Sequence, residues 1–132
     1  LLKSYPQRLS RFLHIPIQSG SNKILKLMNR PYTTKNILQK IDKLRSNLNN
    51  LKLGTDIIVG FPTETDQDFQ ETLTLCKKIG FTKIHVFKYS PRPNTKARIL
   101  FENSPKIPKE ILKKRSKIIF QSKLPSRQTP ET

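Results

Sequence analysis

At 132 residues the chain is long enough for one domain around a single hydrophobic core, and it carries 26 Lys and Arg against 9 Asp and Glu, a formal net charge of +17. No apolar run approaches the ~20 residues of a membrane helix, and the lone cysteine, Cys76, excludes an internal disulfide framework or a cysteine-based metal site. The opening Leu1-Leu2-Lys3 has neither an initiator Met nor a signal-peptide pattern, so a soluble, cytoplasmic piece of a longer protein is expected.

The basic excess favours a polyanionic partner, because neutralising phosphates releases counterions and steers association. A Lys-, Asn- and Ile-rich composition with lysines on solvated faces would give the same excess without such a partner. Beyond Lys96 the charge thickens: Lys106, Lys109, Lys113, Lys114, Arg115, Lys117 and Lys123 face few acids, which makes that end the better nucleic-acid candidate. Cys76 sits in an apolar helical pattern and is expected to be a buried, inert thiol. His14 and His85 are too few to hold a zinc ion on their own.

Along the chain, strand and helix patterns alternate. Phe12 to Ile17 predicts a short strand, with Pro16 marking its exit or making it an edge. The polar turn Gln18-Ser19-Gly20-Ser21 leads into a short helix through Ile24, Leu25, Leu27 and Met28 that stops near Arg30-Pro31. A second helix, capped by Thr33 or Thr34, carries Ile37, Leu38, Ile41, Leu44 and Leu48 on one stripe. Leu53 to Val59 predicts a buried strand bounded by Gly60 and Pro62. Thr65 is the expected N-cap of the next helix, with Asp66 and Asp68 near its positive end and Phe69, Thr72, Leu73, Cys76 and Ile79 facing inward. Gly80 stands where a left-handed C-terminal cap is expected. A third strand, Lys83 to Lys88, ends at Tyr89-Ser90-Pro91-Arg92-Pro93-Asn94-Thr95. Lys96 to Pro108 is expected to be loop. Pro108 then opens a helix carrying Ile111, Leu112, Arg115, Ile118 and Ile119, which is expected to fray near Leu124-Pro125 before a disordered tail, 125–132.

Crossovers of a dozen residues or more force parallel strands, with helices outside. Right-handed crossovers bring all three strand ends to one rim, where ligands bind in such folds. The polar segments at residues 18–21, 60–64 and 89–92 therefore converge on one candidate site. Ordinary turn chemistry would place Gly, Ser and Pro at the same points. Three strands alone would leave open edges and an exposed apolar sheet face, and half of a barrel or open sheet is expected.

These segments also carry a resemblance. His14-Ile15-Pro16-Ile17-Gln18-Ser19-Gly20-Ser21, followed by Leu27-Met28-Asn29-Arg30 and Tyr32-Thr33, resembles the His-Leu-Pro-x-Gln-Ser-Gly-Ser…Met-x-Arg-x-Tyr-Thr block of radical S-adenosylmethionine (SAM) methylthiotransferases. Thr55-Asp56-Ile57-Ile58-Val59-Gly60-Phe61-Pro62-Thr63-Glu64-Thr65 is similar to the family's Thr-Asp-Ile-Ile-Val-Gly-Phe-Pro-Gly-Glu-Thr, and Tyr89-Ser90-Pro91-Arg92-Pro93-Asn94-Thr95 to its Tyr-Ser-x-Arg-x-Gly-Thr. Together the blocks cover roughly residues 12–97.

The resemblance implies an α/β fold: the C-terminal half of a partial (β/α) radical SAM barrel, three parallel strands alternating with helices. Residues 1–100 would form that half and 101–124 a basic helix after it. The cofactors implied are SAM and 4Fe-4S clusters. The cluster cysteines, a Cys-x-x-x-Cys-x-x-Cys loop, would belong to an N-terminal half of the same chain, and this segment alone is expected to be inactive. By resemblance, Gln18 and Ser19 would lie near the methionyl part or ribose of SAM. Ile58, Val59 and Gly60 would lie along the adenine, with Gly60 allowing close approach, and Tyr89 and Ser90 would close that side. Arg30 and Arg92 would meet a cofactor carboxylate or substrate phosphate, with Asp56 and Glu64 orienting those cations or capping the next helix.

Two positions depart from the family pattern. Thr63 replaces a usual Gly, so its turn must avoid a positive φ or be strained, and Asn94 replaces another, a milder change. The small β-barrel RNA-binding domain that usually follows is absent from this sequence. The implied partner is tRNA, met by the basic surface and C-terminal helix. Among the family's branches, His85-Val86-Phe87 is most similar to the one acting on threonylcarbamoyladenosine beside the anticodon. The isopentenyladenosine branch and the ribosomal-protein aspartate branch are alternatives, and a non-catalytic basic RNA-binding remnant is a reading of another class.

Overall fold

A computed structural model describes residues 11–124. Its element order is β1 (Phe12–His14), α1 (Asn22–Leu27), α2 (Thr34–Asn47), β2 (Lys52–Val59), α3 (Asp66–Ile79), β3 (Lys83–Lys88), α4 (Lys96–Asn103) and α5 (Lys109–Gln121). Among the described residues the sheet has the order β1-β2-β3, with both pairings parallel. This is the expected architecture of parallel strands joined through helices.

Side chains alternate along β2, so Leu53, Thr55, Ile57 and Val59 share one face and are buried. That face meets Ile37 and Ile41 of α2, Phe69, Leu75, Cys76 and Ile79 of α3, and Ile119 of α5 in one hydrophobic core. The helices begin and end where their caps dictate. Thr33 and Thr65 each accept from the backbone amide three residues on, while Asn36 and Asp68 return the bond to the cap's own amide. Gly80 closes α3 in the left-handed region, at φ 76°. Cys76 is fully buried, and burial pushes its thiol up to about 12, so it stays protonated and inert. No helix among the described residues is long and apolar enough to cross a membrane.

Three local expectations are corrected. β1 stops at His14 rather than Ile17, because Pro16 has no amide to give the ladder and the Ile17 amide bonds the Thr55 hydroxyl instead (3.1 Å). Pairing resumes as a single parallel bridge, Gln18 to Ile57. Lys96–Asn103 is a helix rather than loop. Thr95 caps it by accepting from the Arg98 amide, and Arg98 pairs with Glu102 one turn on, local signals that the two downstream prolines obscure. The exit of α5 at Leu124 does not fray: its amide donates to the Phe81 carbonyl at 2.7 Å. The disordered tail expected at 125–132 lies outside the described residues.

At the β2–α3 turn the second of the two expected outcomes holds. Thr63 takes a positive φ of 70° rather than avoiding one, a strained choice for a β-branched residue. Lys23 Nζ donates to its carbonyl (3.1 Å), and the Glu64 amide donates to the Phe61 carbonyl (2.9 Å), which together hold the turn. Asn94, the milder departure, also sits at positive φ, 60°. Replacing Thr63 by Gly should raise the unfolding free energy by about 1 kcal/mol, as relief of the left-handed penalty exceeds the entropy glycine adds to the unfolded chain. Urea denaturation of the two proteins checks this; an unchanged or lower midpoint would show that the turn is not strained.

Candidate functional site

Backbone hydrogen bonds stitch the three strand ends together at one level. The Gln18 amide donates to the Asp56 carbonyl (2.9 Å), the Ile58 amide to the Gln18 carbonyl (2.9 Å), and the Tyr89 amide to the Val59 carbonyl (2.8 Å). Gln18, Ile58–Gly60 and Tyr89 therefore lie side by side along the sheet's C-terminal rim. Gln18 achieves this at φ 71°, a position rare for a side-chain-bearing residue and held here by two ladder bonds.

Within this row the side chains have different surroundings. Ile58 is half-buried on the face away from the helices, beside Phe87 on the neighbouring strand. Tyr89 packs edge-on against Phe61 (5.2 Å between ring centroids) and tilted against Phe101 (5.5 Å). Ser90 is exposed. Val59 points into the core, so only its backbone faces the rim. Ser19 is buried as well. The Thr72 hydroxyl gives its proton to the Asp68 carbonyl (3.2 Å), so Ser19 Oγ donates to Thr72 Oγ1 (3.3 Å) and accepts from the Ser21 amide (3.1 Å). Its side chain fixes the turn after β1. Arg30 and Arg92 are exposed, and neither lies in an ion pair with Asp56 or Glu64.

The two carboxylates have other partners than expected. Asp56 Oδ1 lies 3.1 Å from His14 Nε2 and 3.5 Å from His85 Nδ1, one group from each strand on the open face. The sequence held this signal in register, since Asp56 lies opposite His85 and His14 lies opposite Gly54, two residues earlier on the same face. Glu64, buried, accepts from the Gly60 amide (2.9 Å) and from Arg115 Nη1 (3.0 Å) on the same oxygen. Burial pushes the Glu64 carboxyl above its ordinary value, against the pull of the Gly60 amide and the Arg115 guanidinium. Arg115 was placed by its periodicity on an apolar stripe; in the fold it reaches the rim's central turn.

Gly60 also has a reason within the fold itself. Its φ is 81°, and a Cβ there would come within 2.5 Å of Leu112 Cδ2. One close approach it permits is that of α5.

The turn after β1 is fastened to α3 through Asp68. Ser21 Oγ donates to Asp68 Oδ1 (2.8 Å), and Lys23 Nζ lies 2.8 Å from Oδ2, which also accepts from the Thr65 amide (2.9 Å) and hydroxyl (3.0 Å). Burial alone would push the Asp68 carboxyl up, but these four donors outweigh it and hold the group below its ordinary value. A separate shallow groove of about 300 Å3 lies between α2 and α3, lined by Gly20, Leu38, Gln67 and Leu75 among others, on the helical side of the sheet.

Because its folded-state value is depressed, Asp68 contributes stability that is fully present above its unfolded value, about pH 4, and lost as pH falls through the folded one. Asp68→Asn should cost about 1–3 kcal/mol at pH 7. The difference from the parent should shrink steadily below about pH 4. Chemical denaturation at several pH values measures both, and a pH-independent difference would contradict the ionic role.

With this geometry in place, the relatives can be compared. The radical SAM superfamily model matches residues 1–76. The chain is 44% identical over 109 residues (83% of this chain, 24% of the relative) to a tRNA-2-methylthio-N(6)-dimethylallyladenosine synthase of Aquifex aeolicus. Proteins of the same name from Legionella pneumophila and Corynebacterium glutamicum are 47% identical over 121 residues (90% and 26%) and 48% identical over 103 (78% and 19%). The chain thus spans about a quarter of the length of the relatives it matches, or less. Its parallel strands, the rim where they end and the family match across residues 1–76 agree, and the chain belongs to the radical SAM superfamily.

Proposed function

We propose that this chain supplies part of a radical SAM methylthiotransferase that modifies tRNA, of the dimethylallyladenosine type. The observation that carries this reading is the identity of 44–48% over 78–90% of the chain to synthases of that name from three distant bacteria. The threonylcarbamoyladenosine expectation rested on His85-Val86-Phe87 and gives way. In β3 these residues alternate between faces, with His85 and Phe87 on the open side and Val86 half-buried, so strand packing accounts for them without reference to a nucleoside.

Bound SAM and a four-iron cluster would supply radical hydrogen-abstraction chemistry. The residues present fit the adenosyl moiety but not the cluster. Ile58 offers an apolar wall, Tyr89 an aromatic ring, and Gln18 and Ser90 neutral polar groups along one rim. Ser19 and Val59 act by holding the backbone of that rim, and Gly60 by seating the turn. Against a cluster stand the buried, protonated Cys76 and the lack, among the described residues, of three His, Cys, Asp or Glu grouped to hold a metal. The cluster ligands belong to the rest of the protein in this reading, and the open face bearing Phe12, Ile58 and Phe87 is where that part packs. Exposed lysines on α5 (Lys113, Lys114 and Lys117) and Arg30 and Arg92 near the rim supply phosphate contacts to tRNA.

The complete reading frame, expressed in a bacterium lacking its own tRNA methylthiotransferases, should restore 2-methylthio-N6-dimethylallyladenosine to digested tRNA, read by mass spectrometry. Appearance of the methylthio group on threonylcarbamoyladenosine instead would overturn the choice of nucleoside. No methylthio product on either would overturn the enzymatic reading.

A further inference from the structure

Helix α5 lies beyond the residues matched by the superfamily model, yet it closes on the central turn of the rim. Two of its side chains, one turn apart, do so. Leu112 fills the space where a Cβ on Gly60 would sit, and Arg115 donates to Glu64 Oε1, the same oxygen that accepts from the Gly60 amide. The pair is well shielded, with side-chain exposures of 11% for Arg115 and 2% for Glu64. Arg115 also stands 5.4 Å over the Phe69 ring, and Ile119 anchors the next turn of α5 in the core.

A buried carboxylate needs its cation. Without Arg115, Glu64 must either take up a proton or turn toward water. A turned Glu64 releases the Gly60 amide, and a turn that already contains positive φ at both Gly60 and Thr63 has lost its internal brace. We infer that Arg115 is a positioning residue: through Glu64 it sets the backbone of residues 60–64, and so couples the helix after the sheet to the cofactor rim. The inference rests on the proposed adenosyl site for its consequence, while the brace itself stands on the structure alone.

The test uses the protein from the complete reading frame, with Arg115→Met to keep the stem's packing, Arg115→Lys to keep a cation, and Gln121→Ala as a control on an exposed position of the same helix. One readout is hydrogen exchange at the Gly60 and Glu64 amides, which needs no cofactor. The other is the dissociation constant for S-adenosylhomocysteine by equilibrium dialysis. Arg115→Met should speed exchange at these two amides while α3 and β2 stay protected. It should weaken the nucleoside by about tenfold, because only part of the cost of losing the buried charge partner is transmitted to the ligand. Arg115→Lys should recover most of both, and Gln121→Ala should change neither.

Unchanged exchange at Gly60 and Glu64 in a folded Arg115→Met protein would overturn the positioning role. So would faster exchange accompanied by unaltered nucleoside affinity. If the parent protein binds no S-adenosylhomocysteine, the cofactor reading fails by itself, and the exchange result still decides whether Arg115 braces the turn. If Arg115→Met does not fold, the double variant Glu64→Gln with Arg115→Met removes both charges while keeping an acceptor for the Gly60 amide. Native-like exchange at Gly60 in that variant, lost again when Gln is replaced by Leu, is the result expected of the brace; native-like exchange in both overturns it.

Discussion

β2 is hydrogen-bonded along both edges, to β1 over Lys52–Gly54 and to β3 over Gly54–Val59, in the same sense on each side. Parallel pairing on both edges cannot be made with hairpins, so each connection must carry the chain back across the sheet. That single requirement places α1 and α2 before β2 and α3 before β3, gathers the apolar side of each against Leu53, Ile57 and Val59, and sends all three strand ends to one rim. The polar residues at those ends are neighbours because the ladder makes them so.

The rim is braced from both flanks by buried carboxylates at the start of α3. Asp68 collects Ser21 and Lys23 from the turn after β1, while Glu64 collects the Gly60 amide and Arg115 of α5. Each carboxylate would be costly to bury alone, and each is tolerable because it satisfies donors that would otherwise be left without partners. The two differ in balance. Four donors hold the Asp68 carboxyl low, whereas burial keeps that of Glu64 raised despite Arg115. The turn of residues 60–64 is thus the less securely ionised side of the rim, and the one that depends on a helix distant in sequence.

Much of this was legible in the sequence because it is local. The caps Thr33, Thr65 and Gly80, the strands around Leu53–Val59 and Lys83–Lys88, and the polar clusters at their ends follow from spacing and turn chemistry within a few residues. What the sequence hid is long-range or short of contrast. Arg115 reads as one more cation among lysines, and only the packing of α5 brings it within 3.0 Å of Glu64, 51 positions away. His14, Asp56 and His85 belong to three strands and share an oxygen only through register. Ser19 looks like a ligand group in a motif, yet the fold spends its hydroxyl on Thr72 and Ser21. α4 was missed because Pro105 and Pro108 outweighed a single Thr cap, and Thr63 shows a residue pattern overruled by the geometry its turn requires.

The proposed function turns on the three strand ends binding one ligand along a single rim. Hydrogen exchange of the protein from the complete reading frame, with and without S-adenosylhomocysteine, tests it directly. Amides at Gln18, at Ile58–Gly60 and at Tyr89–Ser90 should gain protection together, at the same ligand concentration. Protection confined to the groove between α2 and α3, or to one of the three segments while the others stay unchanged, would contradict it.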